Sequence, residues 1–344
     1  MLKAIYITSM RRLGRPTMKS FKISVVVPSK NNGKTINLCL RSILKALNIA
    51  QRLYPHLQSE VIVVDAHSTD ETPRVLEQYL RTHLIKVIYD EGKGLGPARN
   101  LALRNVKGDI VFFVDADCIV EPLHFAKFLK IFEKDGRIAI VWTPGTFHKL
   151  SRKSFPKIAC LSLEFTHVET SSKRVVEDTI YAAGAFLAVR HDVALKVGGF
   201  WNTPWAADDI EFSYRVWRAG YRVTKILTYS ISLPRMTLRD LWKQQVWYGI
   251  GVVCFYMRHR YDLVFWRTRG RSLYMLFKVF GPTLAVTWVV LRALLSSLRA
   301  LRLWLTKKLS FEAAILLVFK RLANLVGMLK GLREHKRALR QQCI

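Results

Sequence analysis

Asp115 and Asp117 stand two apart, with only Ala116 between them, directly after the apolar run IVFFV. Carboxylates at that spacing, placed at a strand end, offer hard oxygen ligands to a divalent cation such as Mn2+ or Mg2+, with one or both touching the ion. An ion held there would neutralise the charge that develops on a nucleotide diphosphate when a bond to its β-phosphate oxygen breaks. A D-x-D triplet by itself also occurs in turns and helix N-caps, so its neighbours decide its meaning. A second acidic group, Asp208, Asp209 and Glu211 followed by Arg215, opens a segment of helical spacing that stops at Gly220. Carboxylates at a helix start also complement the macrodipole, a purely structural reason for their presence.

The elements needed to position these residues follow from periodicity. From Phe21 to about Ile140, short apolar runs alternate with longer amphipathic ones, the pattern of βα units around a mainly parallel sheet. Strands are expected at 23–28, 61–65, 85–89 and 110–115. Ligands of open α/β sheets bind beyond the carboxyl ends of the strands, which puts Pro28, Asp65 and Asp115 along one edge. The stretch 151–205 is less regular and carries the glycine-bearing piece YAAGAFLAV and the turn VGGFWNTPW.

Four motifs line that expected edge in order: SVVVPSKNNGKTI, VIVVDAHSTDET, GKGLGPARNLAL and FFVDADC. Together with AAGAFLAVRHDVALKVGGF and the DDIEFSYRVWRAG that follows, they resemble the family 2 inverting glycosyltransferases of the GT-A fold, over roughly residues 20–250. The resemblance implies a nucleotide-diphosphate sugar as donor. Asp65 would hydrogen-bond the base, Pro28 and Ser29 would face the nucleotide, and Arg99 and Asn100 would lie near the donor, which Asp115 would also contact. Gly184 belongs to the acceptor segment, and Asp208, Asp209, Glu211 and Arg215 match the acidic series, with Asp replacing the usual Glu at 208. Inverting transfer needs a general base for the acceptor hydroxyl, and Asp209 is the choice; an acceptor that is already a phosphate would need none. Gln244 and Trp247 lie where processive relatives carry QxxRW, but QQVWYG has no Arg before the Trp, against a processive synthase. The family's metal-site histidine has no counterpart in YSISLPRM, leaving Ser230, Ser232 or water in its place.

The balance of charge points to the partner. The chain of 344 residues has 55 basic and 25 acidic side chains, a formal net charge of +30, and is 50% hydrophobic. That excess implies a polyanionic partner or surface. Residues 251–344 carry 18 Lys plus Arg against 3 Asp plus Glu, half of the excess. There the apolar run 273–291 is long enough to cross a bilayer, although Lys278, Gly281 and Pro282 interrupt it, and basic amphipathic segments follow at 292–308 and 311–340. Two crossings would leave the basic stretch between them on the non-cytoplasmic side, so a mostly in-plane attachment is expected, either wholly peripheral or with one or two membrane-embedded helices, reentrant or spanning. A soluble helical bundle is the alternative.

The organisation expected is therefore a basic arm over 1–20, a GT-A catalytic domain over 21–250 and a membrane-association region over 251–344. The arm has no apolar run of signal-peptide length. Five scattered cysteines without a CxxC pair suggest neither a zinc site nor a disulfide framework, in keeping with a reducing setting. The expected location is the cytoplasmic side of the cell membrane, with a lipid-linked acceptor. The competing class is a non-catalytic binder of nucleic acid or anionic lipid on a GT-A scaffold; nucleic acid is disfavoured, since half of the positive excess sits in the tail and no nucleic-acid-binding motif is evident.

Overall fold

The computed structural model describes residues 20–144, 176–233, 235, 237–269, 274–275, 278, 305–306 and 310–341, with side chains to 334. The described residues up to 204, together with 208–233, form one compact unit; 205–207 and the residues beyond 233 form a second. The basic arm, most of the 273–291 run and most of the 292–308 row lie outside the described residues.

The first unit is built on strands β1 (Lys22–Ser29), β2 (Gln58–Asp65), β3 (Lys86–Tyr89), β4 (Ile110–Val114), β6 (Ile138–Trp142), β7 (Val176–Thr179), β8 (Phe186–Arg190) and β9 (Arg222–Ile226). Their order in the sheet is β3-β2-β1-β4-β8-β6-β9-β7. The pairs β1–β2, β1–β4, β2–β3 and β6–β9 are parallel, whereas β8 runs against β4 and β6, and β7 against β9. The sheet is thus mostly parallel, as its continuous Val/Ile runs require: β1 is buried from Ile23 to Ser29, on both of its faces. Val25 and Val27 meet one core with helices α1 (Ile36–Leu53) and α4 (His124–Phe132), and α2 (Thr72–Leu80) adds Leu76 to it. Val26 meets the other, with α3 (Leu95–Asn105), α5 (His191–Lys196) and α6 (Asp208–Arg218).

A small antiparallel ribbon joins β5 (Cys118–Ile119) to β10 (Ile231–Ser232). Near it, Ser230 is buried and taken up by His124 Nδ1 at 2.8 Å and the backbone N–H of Glu121. The Ser230 hydroxyl, one of the alternatives for the missing histidine's place, is thus already engaged within the fold. Ser232 instead pairs with Cys118, and Leu233 N donates to the carbonyl of Asp117.

The second unit rests on α7 (Leu238–Arg258) and α9 (Phe311–Gln341), with the short α8 (Leu263–Thr268) adding the buried Phe265 and Trp266. A Cβ on Gly249 would stand 2.0 Å from Asn324 O, and one on Gly327 2.1 Å from Val246 O. The two long helices therefore touch backbone to backbone, which only glycine permits at these points. Among the described residues no helix is long and apolar enough to cross a membrane.

Candidate active site

At the carboxyl edge of the sheet Ser29 pairs with Asp65, and Asp65 with Tyr89. Asp65 is buried and accepts from Ser68 twice, from the N–H at 2.8 Å and from Oγ at 2.6 Å, closing the loop after β2. That loop is laced to the one after β1. Asn31 N donates to Ser68 Oγ, Thr69 N to Asn31 Oδ1, Asn32 N to Thr72 Oγ1 and Gly33 N to Asp70 Oδ2, all within 2.9 Å. Ser29 sits beneath them with Pro28 one residue earlier on β1, so these residues form one shaped edge.

Asp115 follows β4 and opens a turn closed by Cys118 N on the Asp115 carbonyl. Its Oδ1 faces Arg99 Nη2 at 3.2 Å, and Arg99 Nη1 donates to Asp208 Oδ2 at 2.7 Å. Arg99 and Asp208 are each 2% exposed, whereas Asp115 keeps 30% of its side chain open. The guanidinium also lies over Phe200 and Phe113, at 5.4 and 5.9 Å from the ring centroids. One enclosed cation thus joins the D-x-D turn to the start of α6, two acidic groups 93 residues apart in sequence. Arg99 has no open surface for a ligand, and its work here is to hold carboxylates in place.

Asp209 is less buried than Asp208. Its Oδ2 accepts from Gly184 N at 2.6 Å, which brings the glycine-bearing segment 181–189 to the same acids. A Cβ on Gly184 would meet Arg99 Nη2 at 2.5 Å and Cζ at 2.8 Å. Just before α6, Ala207 has φ +74°, a conformation that costs a residue with a Cβ and that persists where the surroundings impose it.

Burial pushes the Asp115 carboxyl up to about 6; Arg99 pulls it down, and Asp117 and Asp209 push it up. Asp208 is also pushed to about 6, by burial first, with Arg99 again opposing. The same carboxylates hold the Arg99 guanidinium above its ordinary value, overcoming its burial. Two carboxyls near neutrality beside a fixed cation are the kind of perturbation found at reaction centres.

Other expected site residues have structural partners. Asn100 donates to Phe200 O and Asn202 Oδ1, both at 2.8 Å, and accepts from Phe200 N, tying α3 to the GGF turn. Glu211 is fully buried against Arg215, whose Nη2 also donates to Gly199 O at 2.6 Å and whose Nη1 donates to Val197 O. Both pairs shape the 197–202 turn. Gln244 and Trp247 lie on α7 in the second unit. Among the described residues no cluster of three or more His, Cys, Asp or Glu side chains could hold a metal ion. The bridging role of Arg99 was not visible in the sequence, because both partners are distant in the chain. Nor was the stack of His67 on Tyr89, with ring centroids 5.2 Å apart and planes at 17°.

Residues 24–196, half of the chain, match the family model Glycosyl transferase family 2. The chain is 26% identical over 249 residues to glycosyltransferase AglE of Haloferax volcanii, covering 70% of this chain and 76% of that protein. It is 39% identical over 98 residues to the poly(ribitol-phosphate) beta-N-acetylglucosaminyltransferase TarS of Staphylococcus aureus, a match that takes in 28% of this chain and only 16% of TarS. Identity to the poly-beta-1,6-N-acetyl-D-glucosamine synthase of Staphylococcus epidermidis is 23%, over 78% of this chain and 62% of that one. Among solved structures, mannosyltransferase PcManGT from Pyrobaculum calidifontis, in complex with GDP-Man and Mn2+, superposes with a TM-score of 0.59 at 18% identity, over 96% of this chain and 94% of that chain, a likeness of fold. The family match and the mostly parallel sheet agree with the order of motifs along its edge: the chain belongs to glycosyl transferase family 2 and is a nucleotide-sugar-dependent glycosyltransferase.

Proposed function

We propose that this glycosyltransferase transfers its sugar with inversion, from a nucleotide-diphosphate donor held with a divalent cation, to a lipid-linked acceptor at the cytoplasmic face of the membrane. The observation that carries the reading is the convergence of Asp115, Asp208 and Asp209 on Arg99 and Gly184. On this reading Asp115 would serve the donor side and Asp209 the acceptor side of one enclosed centre.

The residues fit a divalent cation. Asp115 keeps 30% of its side chain exposed while its Oδ1 faces Arg99, and Asp117 follows two residues later. Two carboxylates suit Mg2+ or Mn2+, which complete their shells with phosphate oxygens and water. The complex of PcManGT with GDP-Man and Mn2+ supports the same choice. Such an ion would offset the charge that grows on the departing diphosphate. Asp209 would take the proton of the acceptor hydroxyl as its oxygen attacks the anomeric carbon from the face opposite the nucleotide. Asp208, buried and paired, would keep Arg99 and α6 in register. The interlaced loops at Ser29 and Asp65 would receive the nucleoside.

The membrane reading is supported by α9. Phe311, Ile315, Leu322 and Leu329 are all exposed, and their steps of four and seven put them on one stripe of the helix. Lys320, Arg321, Lys330 and Arg333 lie on the same helix. An apolar stripe with basic residues favours an anionic bilayer surface, in plane. A polyprenyl phosphate or a lipid-borne glycan would be presented at that surface.

Hydrolysis of UDP- and GDP-sugars by the full chain, with Mn2+ or with EDTA and with or without anionic vesicles, tests the proposal. Turnover that needs the ion and is faster on vesicles bearing a polyprenyl phosphate is expected. Equal turnover in EDTA would remove the cation, and recovery wholly apart from vesicles would remove the membrane acceptor.

A further inference from the structure

A cavity of about 660 Å3 opens on the first unit between the loop after β3, one face of α3 and the 202–204 turn. None of Asp115, Asp117, Gly184, Asp208 or Asp209 lines it. Arg99 turns to the acids, while Pro97, Asn100, Leu101 and Arg104, at helical steps of three and four, face the cavity. Its volume is in the range of small-ligand sites.

We propose that this cavity is a carbohydrate subsite that holds a pyranose ring of the acceptor glycan, apart from the centre where the bond forms. The proposal rests on the glycosyl-transfer reading above and adds a second sugar position to it. One wall is Tyr89, 59% exposed, its ring held flat by the stack on His67. An exposed aromatic ring of fixed orientation suits the apolar C–H face of a sugar. Asp90 supplies a polar anchor. It is 9% exposed, its N–H is bound to the Asp65 carbonyl, and its Oδ1 has no hydrogen-bond partner. A buried carboxylate oxygen without a partner carries a desolvation cost that a sugar hydroxyl would relieve.

The charge of the lining selects the ligand class. Asp90 and Glu91 are balanced by Lys93 and Arg104, and Glu91 is already paired with Lys93. A site without excess positive charge does not favour a phosphate or a nucleotide, whose recognition relies on cationic donors. A neutral polyhydroxylated ring meets both the aromatic wall and the lone acceptor.

Saturation-transfer NMR on the full chain, in a detergent without a sugar headgroup, tests this with methyl α-mannoside, methyl β-glucoside and methyl β-N-acetylglucosaminide as probes. UDP and GDP with Mn2+ are measured on the same samples. At least one glycoside should receive saturation from the wild type. Tyr89→Ala, at an exposed site, and Leu101→Trp, which fills the cavity, should each cut that transfer at least fivefold, and Leu101→Trp, outside the loops that receive the nucleoside, should leave the nucleotide response unchanged. Asp90→Asn should weaken it less, because the amide still offers an oxygen. No transfer from any of the three glycosides, or transfer that survives both Tyr89→Ala and Leu101→Trp, would overturn the subsite. Transfer abolished by Asp209→Asn but not by these two would place the sugar in the reaction centre and also overturn it. Loss of nucleotide binding by the wild type, with glycoside binding intact, would sink the donor reading and leave the cavity's sugar binding standing.

Discussion

Gly184 lies against the guanidinium of Arg99 so closely that a Cβ there would fall 2.5 Å from Nη2. A free arginine tip would simply swing away, but this one is held by Asp208 at 2.7 Å and Asp115 at 3.2 Å and has no room to retreat. Gly184→Ala should therefore displace the acids rather than the glycine. The expected outcome is a loss of about 1–3 kcal/mol in stability from overpacking and at least a tenfold fall in kcat, read by chemical denaturation and donor turnover.

Arg99 tests the bridge itself. Arg99→Ala leaves the buried Asp208 and the partly open Asp115 without their cation, and removing one partner of the buried Arg99–Asp208 pair costs about 3–5 kcal/mol. Arg99→Lys keeps the charge but not the fork, so it cannot serve Asp115 and Asp208 together. The lysine variant should fold, retain part of the stability and lose most turnover. Restoration of wild-type kcat by lysine would show that charge alone matters.

Asp209→Asn separates proton removal from donor binding. Loss of a general base is worth about 100- to 10,000-fold in rate, so kcat should fall by that order while nucleotide affinity changes less than twofold by calorimetry. An equal loss of both would place Asp209 in the donor pocket. Asp117→Ala should do the reverse, abolishing the Mn2+-dependent part of nucleotide binding in a thermal-shift titration.

His124 gives a pH signature. Burial depresses it from 6.5 to about 3, with Lys127 adding to the effect, so the folded chain keeps it neutral. Below pH 6.5 the unfolded chain binds a proton that the folded chain refuses, and stability contributed by this group is lost as pH falls towards 3. The slope reaches about 1.4 kcal/mol per pH unit. His124→Phe, in a nest formed by Phe112, Phe125, Phe128 and Phe186, should flatten that dependence relative to wild type in denaturation series at pH 7, 6 and 5. Parallel curves would exclude this histidine as the source.

Replacing Phe311, Ile315, Leu322 and Leu329 by serine should release the chain from anionic vesicles. Each side chain is about half exposed, so its insertion in the interface would contribute about half of the ~1.5–3 kcal/mol of full burial, and together their loss should weaken co-sedimentation at least 100-fold. Unchanged sedimentation would move the attachment to another segment.

The strands were legible because their signal is local. Runs such as VVV and IVFFV can only be buried on both faces, and the expected ends at 23–28, 61–65, 85–89 and 110–115 differ from the observed ones by no more than three residues. Asp115, Asp208 and Asp209 were also legible, as acids at a strand end and a helix start. What Arg99 does was not, since its partners lie 16 and 109 residues away and no periodicity encodes a meeting across that separation. The partner of Ser230, one of three alternatives for the missing histidine's place, was hidden for the same reason: His124 lies 106 residues away in the chain. The cavity beside Tyr89 had no sequence signal, because its walls come from a loop, a helix and a turn that are each ordinary alone.

The cross-laced loops after β1 and β2 bear on recognition in a further way. Asn31 and His67 both take left-handed backbone conformations, and the bonds from Asn31 to Ser68 and Thr69 keep that pair of loops set before any ligand arrives. An arriving nucleoside would spend little of its interaction energy on ordering the polypeptide. Discrimination between bases would then follow from the fit to a rigid mould rather than from a loop that closes around whichever base is offered.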